Sequence, residues 1–567
     1  MRMMWKTYNV NPRLQKVLSD NLGISPVFAQ VLVNRNIRTP EQAQEFLFGG
    51  MASCHDPFLM KDMEKAVDRI RKAVSSGEKI MVYGDYDVDG VTSTALLSRA
   101  LERLGADHET FIPNRLEEGY GLNIRAVAHA RDHGVKLLIT VDCGINSAEE
   151  VKCANNYGID VIVTDHHEVK GGVHPPAYAI LDPHQPDCGY PYKYLAGVGV
   201  AYKLARALEA GREGAVDGDL DLVALGTVAD IVPLNGENRI LAKAGMKALR
   251  NTSKPGLKAL MEVAGVEPEK MTCRHIGFTL GPRINAMGRI GSANVALDLL
   301  LCEDMARARE IANRLDRENR NRQGIQRDIL KEALERVDRE VDLGSEKVIV
   351  LADGSWHPGV IGIVASRLTE EYNKPAILIA LEEDKGKGKG SGRGVDGFDL
   401  FKAIEGASEH LVDFGGHEQA CGIKVTSENV PLFREKINQI AEGYFSDGEH
   451  ELPELRIDLS LPFSRIGVKL IDELGMLMPF GPGNSEPVFA TNDIRVKNSP
   501  REIGRSGFKF LATCGNMTCE AITFRKNEVK KPRTGDSINL AYTPSINSYA
   551  GIDSIQLNIK DLQVLDQ

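Results

Sequence analysis

The chain has 567 residues, about four times the usual size of one domain, so several separate cores are expected. Its 42% hydrophobic and 26% charged residues, with Gly 55 and Pro 25 spread along the length, exclude disordered, collagen-like and coiled-coil chains. Lys+Arg 69 against Asp+Glu 79 gives a net charge of -10, so a polyanionic partner has to be held by local cationic patches or by metal ions.

Residues 1–50 read as a helical segment preceding an α/β domain over 51–290. Within that domain, Lys79-Ile80-Met81-Val82-Tyr83, Lys136-Leu137-Leu138-Ile139-Thr140-Val141 and Asp160-Val161-Ile162-Val163-Thr164 are apolar runs of strand length. Helical patterns at Thr92–Leu104 and Ile124–His133 alternate with them, which predicts a parallel sheet covered on both faces. No proline falls between Pro282 and Pro358, and Asn294–Val341 is charge-rich with Leu or Ile every three or four residues. This span, 291–345, is expected to be a connecting helix between two lobes; two shorter helices broken near Gly324 are the alternative. A smaller α/β domain is expected over 346–448, from the strands Lys347–Leu351 and Ala376–Ala380 around the helix Val360–Tyr372. From 449 to 567 short strands and turns predominate, including Pro487–Ala490, Phe508–Thr513, Glu520–Phe524 and Ser537–Tyr542, a spacing that suits a small OB-like barrel.

No stretch supplies the roughly 18 consecutive apolar residues that span a bilayer, so no membrane association is expected. The start Met1-Arg2-Met3-Met4-Trp5-Lys6 lacks the apolar segment of a secretory signal. The Cys 9 are scattered without a Cys-x-x-Cys pair, which points to free thiols in a reducing cytoplasm. Cys514 and Cys519 lack a second ligand pair and read as strand residues, not half of a zinc site.

The sharpest chemical signal is Gly84-Asp85-Tyr86-Asp87-Val88-Asp89-Gly90, directly after an apolar strand and before a helix. Three carboxylates at alternate positions repel one another unless a multivalent cation neutralises them, and such oxygen-rich clusters favour Mg²⁺ or Mn²⁺. An EF-hand loop opens similarly, but here helix stands where its bidentate Glu is required. Asp142 follows the second strand, and Asp165-His166-His167 follows the third. Alone, Asp142 would more often be a helix cap; three successive strand ends bearing metal-type ligands are a different matter. Asp230, in Gly226-Thr227-Val228-Ala229-Asp230-Ile231, has apolar flanks, and a buried lone carboxylate is costly without a partner.

Together Asp85–Gly90, Asp142, Asp165-His166-His167 and Asp230 resemble the four motifs of the DHH phosphoesterase superfamily, and Gly415-Gly416-His417 resembles the signature of its companion DHHA1 domain. Within that superfamily, the length, the Gly-Thr-Val-Ala-Asp stretch and Pro479-Phe480-Gly481-Pro482-Gly483-Asn484 are similar to the RecJ-type bacterial single-stranded-DNA exonucleases, from about residue 20 to the end. The resemblance implies a two-metal site: Asp89, Asp142, His166 and Asp230 around one ion, Asp87 and Asp142 around the other, with Asp142 bridging and Asp85 close by. His167 would face the scissile phosphate. It further implies 5′ polarity, a preference for DNA, a role in recombination and repair, and cooperation with single-strand-binding protein and helicases. A monomer is expected.

Arg115, in a glycine-bearing loop after a strand, and Arg283, in Gly281-Pro282-Arg283, are candidates for non-bridging phosphate oxygens, though either could be a surface arginine. In Lys385–Gly394 the lysines read as a mobile solvated loop, while Ser391 and Arg393 match the family's Ser-x-Arg element, which implies a pocket for a terminal 5′ phosphate or nearby backbone. Gly394 stands where that motif often has Ser. His417 would donate to the same region. Segment 491–535 carries ten Lys or Arg (Arg495, Lys497, Arg501, Arg505, Lys509, Arg525, Lys526, Lys530, Lys531 and Arg533) and only four acids, with Phe508, Phe510 and Phe524 interleaved. That mixture suits a single-strand platform on which cations track the backbone and rings stack on bases; at least one of these rings is expected to be barrel core instead.

The first expectation is thus a metal-dependent exonuclease, a phosphodiester hydrolase releasing mononucleotides from single-stranded DNA. The alternatives are a superfamily member acting on short oligonucleotides or small nucleotides, against which the basic tail weighs, and a non-catalytic scaffold, against which the complete ligand set weighs.

Overall fold

The chain opens with a short strand, β1 (Met4–Thr7), and three helices, Pro12–Leu22, Pro26–Asn34 and Pro40–Phe48. Each begins on a proline behind a side-chain cap (Asn11, Ser25, Thr39), since only a first turn tolerates proline's missing N–H and fixed φ. This computed structural model describes residues 3–115, 118–119, 121–210, 214–444, 454–504, 507–524, 529–549 and 552–565.

Five parallel strands follow: β2 (Ile80–Gly84), β3 (His108–Phe111), β4 (Leu137–Val141), β5 (Asp160–Thr164) and β6 (Ala179–Leu181), in the order β3-β2-β4-β5-β6. β2 and β4 are buried at every position, because separate apolar cores lie on the two sheet faces. The register sets Gly84 beside Val141, Val141 beside Thr164, and Thr164 beside Leu181. The next residue on each strand is an aspartate: Asp85, Asp142, Asp165 and Asp182. Four carboxylates therefore emerge along one sheet edge.

Residues 291–345 form two helices, Asn294–Leu301 and Met305–Glu340. The break falls at 302–304, where the Asp304 carboxylate accepts the Arg307 N–H at 2.7 Å and caps the second helix. Gly324 lies inside the second helix without interrupting it. This 36-residue helix buries Ala308, Ile311 and Leu315 in the core of the first lobe and Ile329, Ala333 and Val337 in that of the second.

The second lobe has the strands β7 (Ile349–Asp353), β8 (Ala376–Glu382), β9 (Lys387–Arg393), β10 (Asp413–His417) and β11 (Ala420–Thr426), in the order β10-β11-β9-β8-β7. The expected solvated lysine loop is in fact β9, the middle strand of this sheet. Its glycines alternate because one face has no room for side chains. A Cβ at Gly388 would lie 2.8 Å from Ile379 Cγ2, and one at Gly390 2.5 Å from Ile423 Cγ1. Lys387, Lys389, Ser391 and Arg393 take the other face. Gly390→Ala is expected to destabilise this lobe by about 1–3 kcal/mol through overpacking, lowering its thermal midpoint. Gly324→Ala, with nothing within 4 Å, should instead raise the midpoint.

The last domain has β12 (Glu454–Ile457), β13 (Leu459–Ser460), β14 (Phe489–Val496), β15 (Arg501–Ile503), β16 (Gly507–Cys514), β17 (Met517–Thr523), β18 (Ser537–Tyr549) and β19 (Ile552–Val564). The order β14-β18-β19-β17-β16 closes on itself through a β14–β16 pairing, giving an OB-like barrel. The N-terminal helices share its core: Leu18, Phe28, Leu32 and Leu47 pack in one cluster with Phe463, Phe489 and Phe510, and β1 pairs parallel with β12. Arg239 ties this joint to the first lobe, its guanidinium donating to the carbonyls of Phe46, Met476 and Leu477.

Candidate active site

Asp85 leaves β2 directly, and Asp87 caps the helix Val88–Arg103 by accepting the Gly90 N–H at 3.1 Å. Asp89, in that helix's first turn, accepts the N–H groups of Gly197 at 2.6 Å and Val198 at 2.8 Å from the start of the helix Gly197–Leu208. Asp142 adopts φ 60, a left-handed conformation that aspartate tolerates better than most residues. Asp230 caps the C-terminus of the helix Leu220–Ala229. From these separate elements the side chains converge. His166 Nε2 is 3.1 Å from Asp142 Oδ1, 3.7 Å from Asp230 Oδ2 and 3.9 Å from Asp89 Oδ2. Ligand atoms of Asp85, Asp87 and Asp142 lie within 4.8 Å of one another, as do those of Asp89, His166 and Asp230, and those of Asp142, His166 and His167. Glycines give the ligands their space: a Cβ at Gly197 would stand 2.6 Å from Asp142 Oδ1, and one at Gly226 2.8 Å from Asp89 Oδ1.

Without a cation this arrangement is electrostatically costly. Burial and then neighbouring aspartates push Asp85, Asp142 and Asp230 well above the usual carboxylate range, and Asp89 to about 7. Asp85 Oδ1, Asp142 Oδ1 and His166 Nε2 are buried with no hydrogen-bond partner. Burial, and then the charge of His167, lower His166 to about 3, leaving a neutral imidazole able to ligate. Oxygen donors with one imidazole, mutually repelling and with orphaned atoms turned to a common centre, fit a pair of hard divalent ions.

Asp165 has a different task. Its carboxylate accepts the N–H groups of Ile145, His166 and His167 and, at 2.7 Å, the His167 ring Nδ1. Burial, the largest influence, disfavours its charge, but the bond and charge of His167, the charge of His166 and the Ile145 N–H together outweigh it and hold Asp165 at about 2. At His167 burial again opposes the charge most, but the same bond with the charges of Asp165, Asp230 and Asp87 together raise it to about 9, so a cationic ring sits beside the acids.

A second convergence is cationic. Burial, together with the nearby guanidinia of Arg115, Arg322 and Arg393, lowers Arg289 to about 9. Arg393 is lowered by burial and by Arg115, whose own guanidinium lies 5.0 Å over the Tyr86 ring. Arg393 donates to Ser391 Oγ at 3.1 Å, and both face Gly362 in the first turn of the helix Ile361–Tyr372, where a Cβ would lie 2.7 Å from Ser391 Oγ. His417 pairs with Ala420, which pairs with Arg393, so register puts His417 and Arg393 on one face two strands apart. Arg283 is not part of this group: it pairs with Asp316 at 2.9 Å and bonds the Thr279 carbonyl, bracing its helix against Met305–Glu340.

Arg289, Arg322 and Asp182 escaped sequence reasoning. Asp182 was legible as a fourth aspartate at a strand end; burial and then Asp165 push it to about 8. In the barrel, Phe508 and Phe510 are 1% exposed and belong to the core, whereas Phe524 is 65% exposed. Arg495, Lys497, Arg501, Lys530, Lys531 and Arg533 are exposed, while Lys509 pairs with Glu520 at 2.8 Å. Arg505, Arg525 and Lys526 lie outside the described residues.

Comparison with known proteins bears on the same three regions. Residues 79–227 match the model for the DHH family, N-terminal domain; 345–443 match the DHHA1 domain; 457–561 match the RecJ OB domain. The chain is 40% identical over 567 residues to the single-stranded-DNA-specific exonuclease RecJ of Bacillus subtilis, covering 99% of this chain and 71% of the relative. Its identity to the Escherichia coli protein of the same name is 34% over 574 residues, covering 95% and 96% of the two chains. A crystal structure of RecJ in complex with Mn²⁺ from Thermus thermophilus superposes with a TM-score of 0.86 at 30% identity, covering 100% of this chain and 80% of that one. Three domains matched in order, near-complete alignment with relatives and a full-length structural likeness have one reading: the chain belongs to the RecJ family of DHH/DHHA1 proteins.

Proposed function

We infer that this chain is a divalent-cation-dependent exonuclease of single-stranded DNA that cuts from the 5′ end and releases mononucleotides. The observation that carries the reading is the convergence of Asp87, Asp89, Asp142, His166 and Asp230, with orphaned buried atoms, at one sheet edge. These five residues would hold two Mn²⁺ or Mg²⁺ ions, which supply an activated water and stabilise both the attacking and leaving oxygens of an in-line displacement. Asp142 belongs to ligand groups on both sides of the centre, which supports its bridging role. Asp165 orients His167 through Nδ1, leaving the cationic ring to attract a phosphate oxygen. Arg115, Arg289 and Arg393, with Ser391 and His417, would seat the terminal 5′ phosphate, and the exposed cations and Phe524 of the barrel would guide the strand beyond it. Arg283 would act only through the helix it braces.

The barrel favours long strands over small nucleotides as substrate. A monomer working in the cytoplasm with single-strand-binding protein and a helicase is part of this proposal; among the described residues no helix is long and apolar enough to cross a membrane.

The test is digestion of a long single strand labelled at either end, with Mn²⁺ or Mg²⁺ and with chelator. Mononucleotides released first from the 5′ label, and none with chelator, are expected; internal cutting, or activity only on short oligonucleotides, would reject the reading. Arg393→Ala should reduce the preference for a 5′-phosphorylated over a 5′-hydroxyl end by roughly 10–100-fold, the worth of one charge-assisted hydrogen bond. Competition between the two ends measures it.

A further inference from the structure

Outside the acid cluster, one group of side chains offers metal-binding donors of another kind. Glu109 on β3, His129 in the helix Ile124–Asp132 and His133 at its C-terminal cap bring ligand atoms within 4.8 Å of one another. The two histidines are one helical turn apart, so their rings share a face, with centroids 3.7 Å apart. His129 Nε2 lies 3.5 Å from Glu109 Oε1, and His133 Nδ1 lies 3.1 Å from Glu109 Oε2. In a tetrahedral site with metal–ligand bonds of about 2.0–2.1 Å, neighbouring ligand atoms stand roughly 3.3 Å apart; each imidazole is near that distance from a different oxygen of Glu109, so a turn of the carboxylate would present one oxygen to both. Glu109 Oε1 is buried and has no hydrogen-bond partner. Phe111, stacked on Tyr83 at 5.6 Å and tilted against His129 at 5.3 Å, limits the swing of the His129 ring. One cation already competes: Lys79 Nζ is 2.7 Å from Glu109 Oε2.

We propose that Glu109, His129 and His133 form a third cation site, taking a borderline transition ion of the Zn²⁺ class with water as fourth ligand. Two imidazoles and one carboxylate suit such an ion, whereas the oxygen-dominated centre suits Mg²⁺ or Mn²⁺, so donor chemistry sorts the two classes. The sites are separate. Glu109 pairs with Met81, four residues before Asp85, about 13 Å along the strand direction. Glu109 also precedes, and the histidines follow, the segment that carries Arg115, so an ion here would join the two elements flanking it.

The test is equilibrium dialysis of the full chain against Zn²⁺ with Mn²⁺ in excess, followed by elemental analysis. Wild type should retain one Zn²⁺ more than His133→Ala or His129→Ala, and without Zn²⁺ both variants should keep the wild-type melting curve and Mn²⁺-dependent exonuclease rate. Lys79→Ala should bind Zn²⁺ more tightly, because Glu109 is released from its ammonium. His166→Ala should keep the extra Zn²⁺, which separates this site from displacement at the acid cluster. Co²⁺ should give the strong visible bands of tetrahedral coordination in wild type and not in His133→Ala. Equal Zn²⁺ content in wild type and the histidine variants, or a Co²⁺ spectrum indifferent to both, overturns the proposal.

Discussion

Asp142→Asn is expected to lower hydrolysis by about three decades or more, the equivalent of several kcal/mol of transition-state stabilisation, while single-strand binding persists. Asparagine is the instructive replacement because Asp142 sits at φ 60, a conformation Asn accepts and Ala does not, so the change removes charge with little added backbone strain. Asp142 Oδ1 is 3.1 Å from His166 Nε2, yet neither atom has a hydrogen-bond partner, and the carboxylate belongs to ligand groups on both sides of the centre. Single-turnover cleavage of a labelled strand, beside anisotropy binding, separates chemistry from affinity; turnover within tenfold of wild type would end the bridging assignment. Asp165→Asn should be milder, roughly 10–100-fold, because Asp165 acts only by orienting its neighbours, His167 above all.

The acids were legible in the sequence because their strands are buried on both faces and so stand out as unbroken apolar runs, each ending in a charge that such a run would not otherwise contain. Asp230 was readable for a related reason, as an acid with apolar flanks that ends a buried helix, whereas the room that Gly226 makes for Asp89 shows only in the packing. The cationic group was not readable as a group. Arg115, Arg289, Arg322 and Arg393 come from a loop, two helices and a strand, and only the packing of the lobes about the helix Met305–Glu340 brings them near one another. Arg322 in particular lies in a charge-rich stretch whose other charges mostly face solvent. The strand β9 was hidden by composition: Lys-Gly alternation looks like a flexible loop, although alternation at period two is also how a strand with one overcrowded face has to be written. The N-terminal helices show correct local signals, proline behind a cap, yet nothing local reveals that their apolar faces seek a barrel more than 400 residues later.

The metal-free protein should lose stability as pH rises through neutrality, and Mn²⁺ should restore it most where the loss is greatest. Asp85, Asp89, Asp142 and Asp230 all titrate above the ordinary carboxylate range, Asp89 at about 7, so the folded state holds their protons more tightly than the unfolded chain does. Stability from these groups is complete below the unfolded carboxylate value and is lost as pH climbs through the folded ones. His167, raised to about 9, contributes in the same direction from its ordinary value upward, whereas His166, lowered to about 3, weakens the fold only as pH falls below its ordinary value. Between about pH 6.5 and about pH 8.5 the raised carboxylates and His167 therefore slope the stability in the same direction. Divalent ions bind the ionised cluster and not the unfolded chain, so their stabilisation grows as the protons leave. Thermal melts with chelator should fall by several degrees across that range, and the rise on adding Mn²⁺ should be larger at the alkaline end. Asp230→Asn, which removes one of the repelling charges from the partly exposed side of the cluster, should flatten the slope and shrink the Mn²⁺ effect. A Mn²⁺ effect independent of pH would mean that the acids are already ionised and satisfied before any ion arrives.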